Sequence, residues 1–205
     1  MLWAENNALC NRIKKTQKIK TQFSFVDLVP PVYYKKVSHK KLVQETKQKT
    51  VLGVTIANLQ RNIAFEIKSV PQDDILCVFI SKVEFTLGYP KQDVWIDNRY
   101  PSGSCEYNTI LKHENQHVKY NNLAMKRYKK QFKLTVKQEY RNVPPLQIRN
   151  NADASRKIQF WLKNLQKIPY LVALEEDMNE LLDLKHGHID TDHNYKRTAR
   201  LCDNW

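Results

Sequence analysis

From Cys105 to Asn142 the chain contains neither glycine nor proline and is dense in residues that favour helix. That stretch constrains the fold more than any other. It predicts one helix of roughly nine or ten turns, around which the remaining chain must pack. Ser104 is placed to cap its N-terminus, Glu106 suits the positive end of the helix dipole, and "VPPL" at Val143–Leu146 stops it. Ile110, Leu111, Val118, Met125 and Phe132 can form its apolar side.

Within this helix "ILKHENQHVKY" (Ile110–Tyr120) places two of the six histidines four positions apart. Residues at that spacing lie about 40° apart around a helix axis and one turn along it. His113 and His117 therefore point the same way and can share one cation. Glu114, rotated about 100° from His113, flanks such a cation without ligating it and is placed to act as a general base. The competing expectation is a solvated surface helix, since Lys112, Asn115, Gln116 and Lys119 make the flanks polar. The extended segment "DVWID" (Asp93–Asp97) just before the helix could form a sheet edge beside a cleft, where a peptide could add as a further strand.

Upstream, residues 51–103 read as β-rich. Val51–Gln60, Ile63–Val70, Ile75–Tyr89 and Asp93–Asn98 carry β-branched and aromatic residues, with alternation clearest at Ala64-Phe65-Glu66-Ile67-Lys68. "VPQDD" (Val70–Asp74) reads as the turn of an antiparallel hairpin, and residues 1–50, with Pro30-Pro31, as an extended or irregular lead-in. Downstream, a helical region from Ala152 to Lys185 is broken at Pro169, with Phe160, Trp161, Leu165, Leu171, Leu174, Met178, Leu181 and Leu182 facing a core. A tail rich in His and Asp follows, including His186, His188, Asp190, Asp192 and His193. The expected fold is a single α+β domain over residues 1–205: an N-terminal antiparallel sheet packed on the long helix, then a helical pair and a C-terminal tail.

Composition removes several classes. A chain of 205 residues can bury a core without a structural metal. No apolar run is long enough to span a bilayer, and no glycine-rich phosphate loop is present. The 34 Lys and Arg against 21 Asp and Glu, a net charge of +13, favour anionic surroundings such as a cell envelope or nucleic acid. The basic pairs are scattered, however, without a nucleic-acid-binding signature, so no nucleic acid partner is expected. Cys10, Cys77, Cys105 and Cys202 lie far apart and form no CxxC pair. They suit either two long-range disulfides in an oxidising compartment or four free thiols in the cytosol. "MLWAENNALC" is too short and polar for a secretory signal, so export is expected to depend on a signal upstream of Met1.

"GSCEYNTILKHENQHVKYNN" together with "IDTDHNYKRTARLCDNW" resembles zincin metallopeptidases. More closely it resembles the predicted secreted bacterial zinc-dependent proteases of the domain-of-unknown-function-922 type. That family's pattern has a Cys shortly before an HExxH helix, then a tail with an Asp-Thr element, an aromatic residue and a terminal Trp. Cys105, His113, Glu114, His117, Asp190, Thr191, Tyr195, Cys202 and Trp205 occupy those places. The resemblance implies a zincin-like fold, one Zn2+ held by His113 and His117, Glu114 as general base, and secretion or a periplasmic location. It also implies disulfides Cys105–Cys202 and Cys10–Cys77.

The third ligand stays open: the tail offers Asp190, His193 and His188, with Asp190 and His193 the leading pair, and Glu180 of "NELLD" is a further choice. Tyr120 and Leu123 stand where a metzincin needs Gly and His, so Met178 reads as core and not as a Met-turn. Tyr195 could stabilise an oxyanion, or be an ordinary core or surface tyrosine, and Trp205 could seal the tail. The leading expectation is a peptidase acting on protein or on peptidoglycan peptides. Its rivals are an envelope-associated module with a structural or vestigial metal, and a basic nucleic-acid-binding domain. Nothing in the pattern specifies an oligomeric state.

Overall fold

The computed structural model of the chain describes residues 8–149, 151–167, 169–189 and Cys202. Its elements are α1 (Ala8–Thr16), β1 (Gln22–Leu28), β2 (Val32–Val37), α2 (His39–Thr46), β3 (Gly53–Ala57), β4 (Gln60–Gln72) and β5 (Ile75–Gly88). They continue with β6 (Gln92–Asp97), α3 (Cys105–Arg141), β7 (Leu146–Arg149), a short 3-10 turn at Asn151–Asp153, α4 (Ala154–Leu165) and α5 (Pro169–Ile189). Mixed α and β structure is as expected. Residues 1–50, read as a lead-in, instead hold α1, β1, β2 and α2. These elements are short and polar: α2 buries only Leu42, and its start is marked by Ser38, whose Oγ accepts from Lys41 N at 3.4 Å.

The chain divides into two compact units, each assembled from three stretches. The first takes in residues up to 27, 61–87 and 130–175. Its sheet has the order β1-β5-β4, with β7 also pairing antiparallel to β5 (Val78 opposite Leu146). Lying centrally, β5 buries side chains on both faces, including Val78, Phe79, Ile80, Val83 and Phe85. The expected hairpin joins β4 to β5 through Asp73-Asp74, where Asp73 takes φ 52°, a left-handed conformation that aspartate tolerates. The alternation in β4 is only partly used: Ile63 is buried, Phe65 half-buried and Ile67 exposed. Cys10 is disulfide-bonded to Cys77, fastening α1 to β5 over a small core of Cys10, Ile13, Cys77 and Phe79.

The second unit takes in residues 28–60, 88–129 and those from 176 on. Its sheet has the order β2-β6-β3. The expectation of a purely antiparallel sheet is corrected here, because β2 runs parallel to β6 (Val32 opposite Gln92) while β3 runs antiparallel to it (Val54 opposite Trp95). The "DVWID" segment is likewise the middle strand and not the edge. Val94 and Ile96 of β6 pack on Ile110 and Val118 of α3, the sheet-on-helix contact that positions the candidate site.

Gln92, Asp93 and Asp97 of β6 are buried yet satisfied. Gln92 accepts from Asn121 Nδ2 at 2.9 Å, and Asp93 pairs with Lys35 and Lys91. Asp97, fully buried, accepts from Arg99 Nη2 at 2.6 Å and from Arg99 N at 3.0 Å, with His39 Nδ1 2.9 Å away. The second disulfide, Cys105–Cys202, ties the C-terminal region to the first turn of α3. No described helix is long and apolar enough to cross a membrane. Two disulfides suit an oxidising, extracytoplasmic environment.

Candidate metal centre

The helix α3 begins as its cap predicts: Ser104 Oγ accepts from Tyr107 N at 3.1 Å and Ser104 O from Asn108 N at 3.0 Å. Its buried face runs Ile110, Glu114, His117, Asn121, Ala124, with steps of three and four residues. Three polar residues thus interrupt an apolar stripe on the side that faces protein. This is the opposite of a solvated surface helix. Glu114 is 4% exposed and His117 8%.

His113 Nε2 and His117 Nε2 lie 3.3 Å apart, with the ring planes at 72°. Two nitrogens bound to one zinc at about 2.0–2.1 Å with a tetrahedral angle would be about 3.3–3.4 Å apart. The pair therefore fits a shared zinc, and imidazole is a donor zinc favours. Apposed imidazole nitrogens at that distance share either a proton or a cation, and these alternatives are separable by experiment.

The neighbouring strand explains how Glu114 is held. Thr55 Oγ1 lies 2.8 Å from Glu114 Oε2 and 3.0 Å from Glu114 O, so its hydroxyl can donate to the carboxylate from β3. Gly53 lets β3 come this close: a Cβ there would stand 2.9 Å from Glu114 Oε1 and 2.7 Å from Ile110 Cγ2. Gly53, Val54 and Thr55, together with His113, Glu114 and His117, line a cavity of about 360 Å³. Among the described residues β3 pairs only with β6, so the strand lining this cavity is an edge strand of its sheet.

The last turns of α5 supply a residue that sequence reasoning left in the tail. His186 lines the same cavity, and its ring centre is 4.7 Å from that of His117, at 82°. The helix that carries it runs to Ile189, past the Lys185 end expected from sequence. Leu171, Leu174 and Met178 form the buried stripe of α5, so Met178 is core as read. Asn179, Leu182, Asp183 and His186 continue the pattern at helical spacing along a second cavity. Glu180 is exposed and lines neither cavity. Asp190, Thr191, His193, Tyr195 and Trp205 lie outside the described residues. Among the described residues no three His, Cys, Asp or Glu side chains already form a ligating cluster.

Three site features escaped the sequence reading: Gly53, Thr55 and His186. A glycine inside an otherwise β-branched strand is a signal of close backbone approach and could have flagged the first. No protein-family model, curated protein or solved structure matches this chain.

Proposed function

We propose that the chain is a zinc-dependent peptidase with His113 and His117 as metal ligands and Glu114 as general base. One observation carries this reading: two imidazole nitrogens 3.3 Å apart share a cavity with a buried, hydrogen-bonded carboxylate, beside the edge strand β3. Zinc would supply Lewis acidity and make hydroxide available near neutral pH.

The chain's own groups account for the rest. The edge of β3 offers backbone donors and acceptors to an extended peptide, holding the scissile carbonyl beside α3. The carboxylate of Glu114 accepts a proton from the attacking water and returns it to the departing amine nitrogen. Thr55 fixes the orientation of that carboxylate. His186 is the described residue best placed to complete the donor set, with Asp190 and His193 as its competitors in the tail. Substrates are peptide bonds of proteins or of cell-wall peptides.

The test is metal analysis with peptidase assays on the full chain. Wild type is expected to carry stoichiometric zinc, and His117→Ala little. Glu114→Gln should keep zinc while losing about 10²–10⁴-fold in kcat. Of His186→Ala, Asp190→Asn and His193→Ala, the first should weaken zinc most. Zinc absent from wild type, or activity untouched in Glu114→Gln, would overturn the reading. Zinc without activity in wild type would point instead to an envelope module with a structural metal.

A further inference from the structure

A second cavity, of about 530 Å³, adjoins the first and shares Thr55 and His186 with it. The strand β3 walls both, because Gly53, Val54 and Thr55 line the first, and Thr55 and Ala57 the second. From Gly53 to Ala57 a strand covers about 13 Å, so a peptide paired along it with its scissile bond near Glu114 would place a neighbouring side chain in the second cavity.

The chemistry of that cavity runs against the charge of the whole molecule. In a chain of net charge +13, no lysine or arginine is among the described residues lining it. Its wall carries the carboxylate of Asp183 and the carboxamides of Asn58, Asn121 and Asn179. Asn121 already uses its amide nitrogen to donate to Gln92 Oε1, so its oxygen is the end able to accept elsewhere. Tyr89 also lines the wall. It is 2% exposed, and its buried hydroxyl has no hydrogen-bond partner among the described residues. Burial pushes that phenol up to about 12, so it stays a neutral hydroxyl able to accept an N–H. Such a set of acceptors around one carboxylate matches a many-donor cation.

We propose that this cavity is a subsite for a cationic side chain, an alkylammonium or guanidinium, of the peptide bound along β3. The assignment rests on the peptidase reading above, and the experiment separates the two. Fluorescent peptides carry Lys, Arg, norleucine or Glu at each position in turn. Their binding is measured by anisotropy on the zinc-loaded, full-length Glu114→Gln protein, and their cleavage on wild type. At one position Lys and Arg should bind about five- to tenfold more tightly than norleucine, and Glu more weakly still. Adding Asp183→Asn should shrink that gap to about twofold or less, and Tyr89→Phe should narrow it. Equal binding of the Lys and norleucine peptides at every position, or a preference that survives Asp183→Asn, overturns the subsite. Cleavage without any such preference overturns the subsite and leaves the peptidase. An Asp183-dependent preference in a protein that cleaves nothing leaves the subsite and removes the peptidase.

Discussion

At Gly53 a missing methyl group decides where a carboxylate can sit. Any larger residue there meets Ile110 Cγ2 at 2.7 Å and Glu114 Oε1 at 2.9 Å, both side-chain atoms of α3. Relief requires either moving β3 outward or turning Glu114 away from Thr55. Gly53→Ala should therefore cost about 1–3 kcal/mol in a urea unfolding curve. It should also reduce kcat/KM more than it reduces zinc affinity, because the clash falls on the base and not on the imidazoles. Unchanged kcat/KM in Gly53→Ala would show that this close approach does not position Glu114. His113, Glu114 and His117 were legible beforehand because a helix converts sequence spacing directly into shared direction. Gly53, Thr55 and His186 were not, because each reaches the site from an element whose place is set only by packing.

Among the elements, β6 shows how a middle strand can carry buried charge at its ends. Its apolar centre, Val94 and Ile96, packs on α3, while its last residue, Asp97, is fully buried against Arg99 and His39. Burial by itself would raise the Asp97 pKa. The Arg99 hydrogen bonds and charge, with help from His39, outweigh that and hold it below the usual value. The sign follows by linkage: a depressed carboxylate contributes stability above its unfolded value of about 3.9, and that contribution is lost as pH falls through the folded value. Stability measured from pH 5 down to pH 2 should therefore drop in wild type. Asp97→Asn should be less stable at neutral pH by about 2 kcal/mol, with a flatter acid slope. Parallel slopes in the two proteins would show that Asp97 is not a source of the acid sensitivity.

For the molecule as a whole, two disulfides close loops with sequence separations of 67 and 97 residues. Each is expected to contribute about 2–5 kcal/mol, mainly by restricting the unfolded chain. Cys10–Cys77 lies in the first compact unit and the candidate metal centre in the second. Replacing both of those cysteines by Ser should lower the thermal midpoint while leaving the zinc affinity of the folded protein unchanged. Replacing Cys105 and Cys202 should weaken zinc as well, since that bond returns the chain to the first turn of α3, about two turns before His113. Equal zinc affinities in both double variants would uncouple the C-terminal closure from the site.

Local rules were enough to specify the long helix, its cap, the hairpin at Asp73-Asp74 and the break at Pro169. Each depends on a few adjacent residues and their φ/ψ preferences. Tertiary structure alone decided that β2 joins β6 in parallel, that β3 is the edge at the cavity, and that α5 brings His186 to His117. Those outcomes depend on burying apolar faces that are far apart in sequence, and no local pattern encodes the partner.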